Sequence, residues 1–189
     1  MKVSQKPGPS KGARNRSGHA MSEFAAALIV LISFIFMPLL NISIIPVRYL
    51  MAQGVLNELS HRVVLCDKRS EASAMFAGDG SVWSKSLLSK CGVTVSNPKL
   101  TLTIFGKEPA DKLVVLAGDT IPAEWLPDGA KAPNLYSMEL SADCAIAPFV
   151  ECTPGLPGFT SPITMRLKAA SPWENFGRDP ATQEYYVNE

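Results

Sequence analysis

A carboxylate at the mouth of a long apolar run is the first group in this sequence whose position asks for a chemical explanation. Glu23 precedes Phe24–Val47, 24 residues without a charge, in which Ser33, Asn41 and Ser43 are the clear polar side chains. An ionised carboxylate in hydrocarbon is costly unless it finds a partner or reaches the interface. A helix N-terminus is one favourable place for it, because the unpaired N–H groups there attract negative charge. The second set is Cys66, Cys91, Cys144 and Cys152, all beyond the apolar run. An even count outside the cytoplasm suggests two disulfides, and four cysteines allow three connectivities. Loop length favours Cys66–Cys91 and Cys144–Cys152, and four reduced, buried thiols are the alternative.

Other chemistries lack the residues to carry them. No cysteine pair has C-x-x-C spacing and His19 and His61 are the only histidines, so no metal is expected. Asp79 stands alone in "AGDGSVW" (Ala77–Trp83), where a calcium loop needs several carboxylates, and a turn is expected instead. With no nucleophile motif and no glycine-rich phosphate loop, the sequence predicts neither an enzyme nor a cofactor. His61 falls on the polar side of an amphipathic segment and reads as a surface residue, while Trp83, Trp125 and Trp173 read as core.

The apolar run would cover roughly 36 Å as a helix, enough for a hydrocarbon core of about 30 Å. Lys2, Lys6, Lys11, Arg14 and Arg16 all precede Gly18, and no acidic residue does. The 13 remaining basic residues face 17 acidic ones, so the chain after Gly18 carries a formal charge of −4. This asymmetry predicts a cytoplasmic N-terminus by the positive-inside rule. It also makes a basic arm for nucleic acid unnecessary, and no nucleic-acid partner is expected.

Residues 1–18 are rich in Lys, Arg, Gly, Pro and Ser and predict a disordered leader. Helix is expected from about Ser22, with kinks at Pro38 and Pro46. Beyond Arg48, Ala52, Leu56, Leu59, Val63 and Cys66 recur at steps of four and three, which predicts an amphipathic stalk over 49–75 whose stripe packs either on the chain's own domain, the simpler reading, or on a neighbouring subunit. From residue 76 to 189 the pattern is of short strands and turns. "GVTVSNPKLTLTIFG" carries two period-2 segments separated by Ser96-Asn97-Pro98, and "DKLVVLAGD", "LYSMELSADCAIAPFV" and "PITMRLKAA" are further strands. The fold class is therefore α+β: a long N-terminal transmembrane (19–48) and stalk helix, then a small antiparallel β-rich domain outside the cytoplasm. The tail after Arg178 shows no pattern and is expected to be loose.

The run's outer end, "PVRYLMAQG", offers no small-x-small cleavage site. In "SGHAMSEF" the arrangement is different: a basic leader ends at Gly18, His19 follows, and Glu23 stands fifth after the glycine. This resembles the substrate motif of prepilin peptidases. Together with Glu23-Phe24-Ala25-Ala26 opening the span and "YLMAQGVLNELSHRVV" after it, the stretch 12–72 is similar to the TadE/TadG-like pseudopilins of tight-adherence pilus systems. The resemblance implies cleavage between Gly18 and His19 and an assembly role for Glu23 and Phe24. It implies that the Glu23 carboxylate pairs with the new α-amino group made by cleavage. It also implies prepilin peptidase, other pilin subunits and the inner membrane as partners. The bulky His19 after the glycine and the long leader depart from the pattern. The alternative is an uncleaved bitopic membrane protein whose outer domain binds a ligand or an envelope partner.

Overall fold

The computed structural model describes residues 14–84, 87–108, 110–150 and 161–189; residues 1–13 of the leader and Cys152 lie outside the described residues. Helix begins earlier than expected: α1 spans Arg14–Leu31 and includes Gly18. Ser22 does not cap it. Its hydroxyl donates back to the His19 carbonyl at 2.9 Å, the bond of a serine already inside a helix. One wide turn, Ile32–Phe36, follows, closed by the Met37 N–H donating to the Ile32 carbonyl, and α2 then runs Met37–Val64. The wide turn ends one residue short of Pro38. That proline has no N–H for the Phe34 carbonyl and its ring would strike it, and an i→i−5 turn moves the carbonyl aside. Pro46 is accommodated within α2.

The stalk is two helices, not one. At Leu65 and Cys66 the backbone N–H groups bond carbonyls three residues back, at 3.2 and 3.4 Å, which tightens and ends α2. A second helix, α3, runs Arg69–Ser84, and a short α4 spans Leu87–Lys90. Backbone over Ala77–Ser84 is thus helical where a turn was expected. Ala72 is fully buried and Met75 and Phe76 pack against the core, so tertiary contact outweighs the low helix propensity of the glycines.

Four antiparallel strands follow, β1 Val93–Phe105, β2 Lys112–Leu116, β3 Leu135–Ile146 and β4 Ile163–Pro172, in the order β2-β1-β3-β4. The two period-2 segments of β1 are one strand with a bulge. Ser96 pairs Asp143 and Lys99 pairs Ser141, so Asn97 and Pro98 together oppose Ala142. The extra residue moves the inward set from odd positions, Val93 and Val95, to even ones, Leu100, Leu102 and Ile104. In β3 every second residue from Tyr136 to Ile146 is buried.

Helix α2 lies across β3 and β4, and α3 lies against β1. The stripe of Ala52, Leu56, Leu59 and Val63 forms the helical side of the core, and Gln53 Nε2 donates to the Lys168 carbonyl at 2.8 Å beside it. Trp125 and Trp173 are buried and His61 is exposed, as expected; the Trp83 side chain lies outside the described part. The tail is not loose. Val187 is fully buried, Lys68 Nζ meets Asp179 Oδ2 and Glu189 Oε1 at 2.8 Å each, and Arg178 meets Asp128 at 2.7 Å.

Candidate functional site

Among the described residues, the N-terminal half of the helix is largely uncovered. The most apolar 18-residue window within His19–Val64 is only 6% buried, which rules it out as a core helix of the domain. Phe24, Ile29, Phe34 and Ile35 are each more than half exposed. One helix near the N-terminus is thus long and apolar enough to cross a membrane.

At its start, His19 Nε2 stands 3.1 Å from Glu23 Oε1, one helical turn away, with both side chains exposed. The contact is an ion pair only when the imidazole is protonated. In this uncut chain the Glu23 carboxylate therefore meets the side chain of the residue whose amine was expected to meet it. Gly18 lies in the same helix, one residue before His19.

Two polar residues of α2 grip the loop after β3. Asn41 is fully buried although it sits inside the apolar run. Its Nδ2 donates to the Val150 carbonyl at 2.6 Å, and its Oδ1 accepts the N–H groups of Phe149 and Val150 at 2.9 and 3.0 Å. Two turns on, the Arg48 guanidinium donates to the Ala147 carbonyl. Gly92 closes the junction from the sheet side: its carbonyl accepts the Ala147 N–H at 2.8 Å, and its φ of +75° suits glycine. A Cβ there would stand 2.9 Å from Arg48 Nη1. No family model, curated protein or solved structure matches this chain.

The clamp changes where a span can end. From His19 to Leu40 there are 22 residues, about 33 Å of helix, which covers a hydrocarbon core of about 30 Å without using Asn41 or anything after it. A span ending at 48 would draw the carbonyls and N–H groups of residues 147–150 into lipid with it. Asn41 and Arg48 were not singled out as site residues from the sequence. The signal was their spacing of seven, which continues the stripe of Ala52 and Leu56 back through Arg48 and Ile45.

The cysteines do not form the expected Cys66–Cys91 bond. Cys66, Cys91 and Cys144 are all free thiols. Cys66 sits at the break after α2, whereas Cys91 adjoins Gly92, which touches Arg48. From Arg48 to Val64 is about 24 Å of helix, against a limit near 7 Å between disulfide-bonded Cα atoms. Cys144 is wholly buried in the central strand between Val95 and Met165, and burial pushes its thiol pKa up. With Cys144 a free thiol, the expected Cys144–Cys152 bond is not formed either; Cys152 itself lies outside the described residues. Among the described residues no three His, Cys, Asp or Glu side chains gather as metal ligands.

Proposed function

We propose that the chain is a minor pilin or pseudopilin of the TadE/TadG-like kind, a structural subunit and not an enzyme. Prepilin peptidase cuts it after Gly18 at the cytoplasmic face of the inner membrane. Residues from His19 to about Leu40 then pack with other pilin subunits, while the domain from α2 onward is displayed outside the cytoplasm for pilus assembly, adhesion or secretion. The observation that carries this reading is the offset of Gly18 and Glu23 at the mouth of a helix that is bare for its first half and packed on a sheet for its second. A carboxylate freed of water at that position needs a cationic partner to be tolerated among packed helices. The α-amino group created on His19 lies about one turn from it.

The test is the N-terminal sequence and intact mass of the protein from cells with and without prepilin peptidase. A mature chain starting at His19, seen only when the peptidase is present, is the expected result. A chain that still begins at Met1 in the presence of the peptidase defeats the reading. One observation favours the alternative, an uncleaved bitopic protein with an envelope-facing binding domain. Helix α1 runs unbroken through Gly18, and Glu23 already has His19 as a partner without any cut.

A further inference from the structure

The chain leaving β3 returns to the helix where the span ends. Arg48 holds the Ala147 carbonyl, and Asn41, about 10 Å of helix nearer the N-terminus, holds Phe149 and Val150. Three residues of extended chain also cover about 10 Å, so the segment 147–150 descends along α2 towards the span. Asn41 is the first residue beyond Leu40, about 1.5 Å further along the axis. The headgroup region on each side of a hydrocarbon core is about 5–7 Å deep, which sets Phe149 at headgroup depth. Its side chain is 59% exposed, and Leu39 and Ile42, which flank Asn41 on the helix, are each 56% exposed.

An exposed aromatic ring at this depth could meet lipid or a neighbouring protein, and the backbone beside it favours lipid. A loop can approach an apolar medium only where its polar backbone groups are satisfied within the protein. The Ala147 N–H donates to the Gly92 carbonyl, Pro148 has no N–H, and those of Phe149 and Val150 donate to Asn41 Oδ1. Every N–H of 147–150 is thus taken inside the chain, as are the Ala147 and Val150 carbonyls. Residues 144–150 also carry no charge. We propose that the Phe149 ring inserts into the headgroup–acyl boundary of the phospholipid bilayer beside the end of the span, a second membrane contact contributed by the domain. The span still ends at Leu40: only the ring enters, and the headgroup region brings water to the carbonyls around it. A single helix leaves the domain free to tilt against the membrane, and this contact turns one end of the sheet towards the bilayer. The inference rests on His19 to Leu40 spanning a membrane, and not on cleavage after Gly18.

The experiment is fluorescence quenching of the full chain in phosphatidylcholine vesicles at a high lipid-to-protein ratio, with bromine on the acyl chains of part of the lipid. Phe149→Trp is the probe, and the signal of the parent chain, which holds Trp83, Trp125 and Trp173, is subtracted. Two variants bracket it. Ile29→Trp lies mid-span, and Leu135→Trp lies at the far end of β3, about 36 Å of strand from Ile146; both native side chains are exposed. The expected result is quenching at position 149 severalfold above that at 135, greatest with bromine near the headgroup, whereas position 29 is quenched most by bromine near the chain end. Quenching at 29 with none at 149 overturns the proposal and leaves the span standing. No quenching at 29 overturns both. Equal quenching at 149 and 135 overturns the proposal, because the domain then meets lipid by another face. A probe at 149 that escapes bromine yet shifts to the blue as the protein-to-lipid ratio rises overturns it in favour of a neighbouring protein.

Discussion

Replacing Asn41 by leucine removes its three hydrogen bonds to Phe149 and Val150 while keeping a side chain of similar size. The Nδ2 bond to Val150 at 2.6 Å and the two bonds accepted by Oδ1 at 2.9 and 3.0 Å are lost together. Each is worth about 1 kcal/mol net, and more where the partner left behind stays out of water. Asn41 is fully buried and the three bonds lie in a part-buried setting, so water replaces them only in part. The expected loss is therefore about 3 kcal/mol. At roughly 2–4 °C per kcal/mol for a chain of this size, Tm falls by about 6–12 °C. The assay is thermal unfolding of the full chain in detergent micelles, read by the fluorescence of buried Trp125 and Trp173. Asn41→Gln, which keeps the amide on a longer stem, should recover part of the loss. A leucine variant within about 1 °C of the parent would show that the loop is held by something other than Asn41, and the span boundary at Leu40 would lose its physical basis.

Three further outcomes follow from the same geometry. Gly92→Ala forces an L-residue to φ +75° and pushes against Arg48, so it should cost about 1–2 kcal/mol by chemical denaturation, whereas Gly54→Ala, inside α2 with open space around it, should be neutral or stabilising. The Asp179 carboxyl is held down to about 2, chiefly by the Lys68 ammonium and then by the Ala181 N–H, from an ordinary value of 3.8. A depressed carboxyl contributes stability above its unfolded pKa and loses it as pH falls through the folded one, so Asp179→Asn should flatten the Tm-against-pH curve between about pH 4 and 2. Cys144, buried and raised in pKa, should resist alkylation in the native protein and react only on unfolding, which mass spectrometry after iodoacetamide treatment reads directly.

Legibility in the sequence followed contrast between faces. Ala52, Leu56, Leu59 and Val63 were readable as one stripe because polar residues occupy the other faces of α2 there. The same stripe continues upstream through Arg48 and Ile45 to Asn41, but among residues that are apolar on every side a period of 3.6 leaves no mark. The strands were readable from alternation, and even the parity change in β1 showed on either side of Asn97-Pro98. The break between α2 and α3 was not. No glycine or proline stands in Leu65–Lys68. Distant partners instead draw Lys68 towards Asp179 and Glu189, more than a hundred residues away, and no local pattern records them. The tail looked loose for the same reason, since ion pairs and one buried valine hold it without periodicity. Cysteine pairing was misjudged because loop length says nothing of which end of a 28-residue helix each thiol occupies.

The wide turn at Ile32–Phe36 decides which way Glu23 faces. A single i→i−5 turn holds one residue more than an α-turn, and each residue turns a helix by about 100°. Residues 19–31 are therefore rotated by about that angle, relative to the clamped part of α2, from where an uninterrupted helix would set them. Side-chain ends lie about 5–6 Å from the helix axis, so the displacement of Glu23 around it is about 8–9 Å. Pro38 is the reason for the wide turn, and Pro38→Ala restores a donor to the Phe34 carbonyl and lets the segment return to regular α-helix. Two spin labels, one at position 19 and one at position 168 on the outer side of β4, should then change separation by several ångströms in electron–electron resonance, with Tm of the domain unmoved. If the chain assembles as proposed above, the same variant is expected to be cleaved normally but to fail in a pilus-assembly assay, because its carboxylate then faces a different neighbour. An unchanged label distance would mean that Pro38 does not set the turn, and the facing of Glu23 would need another cause.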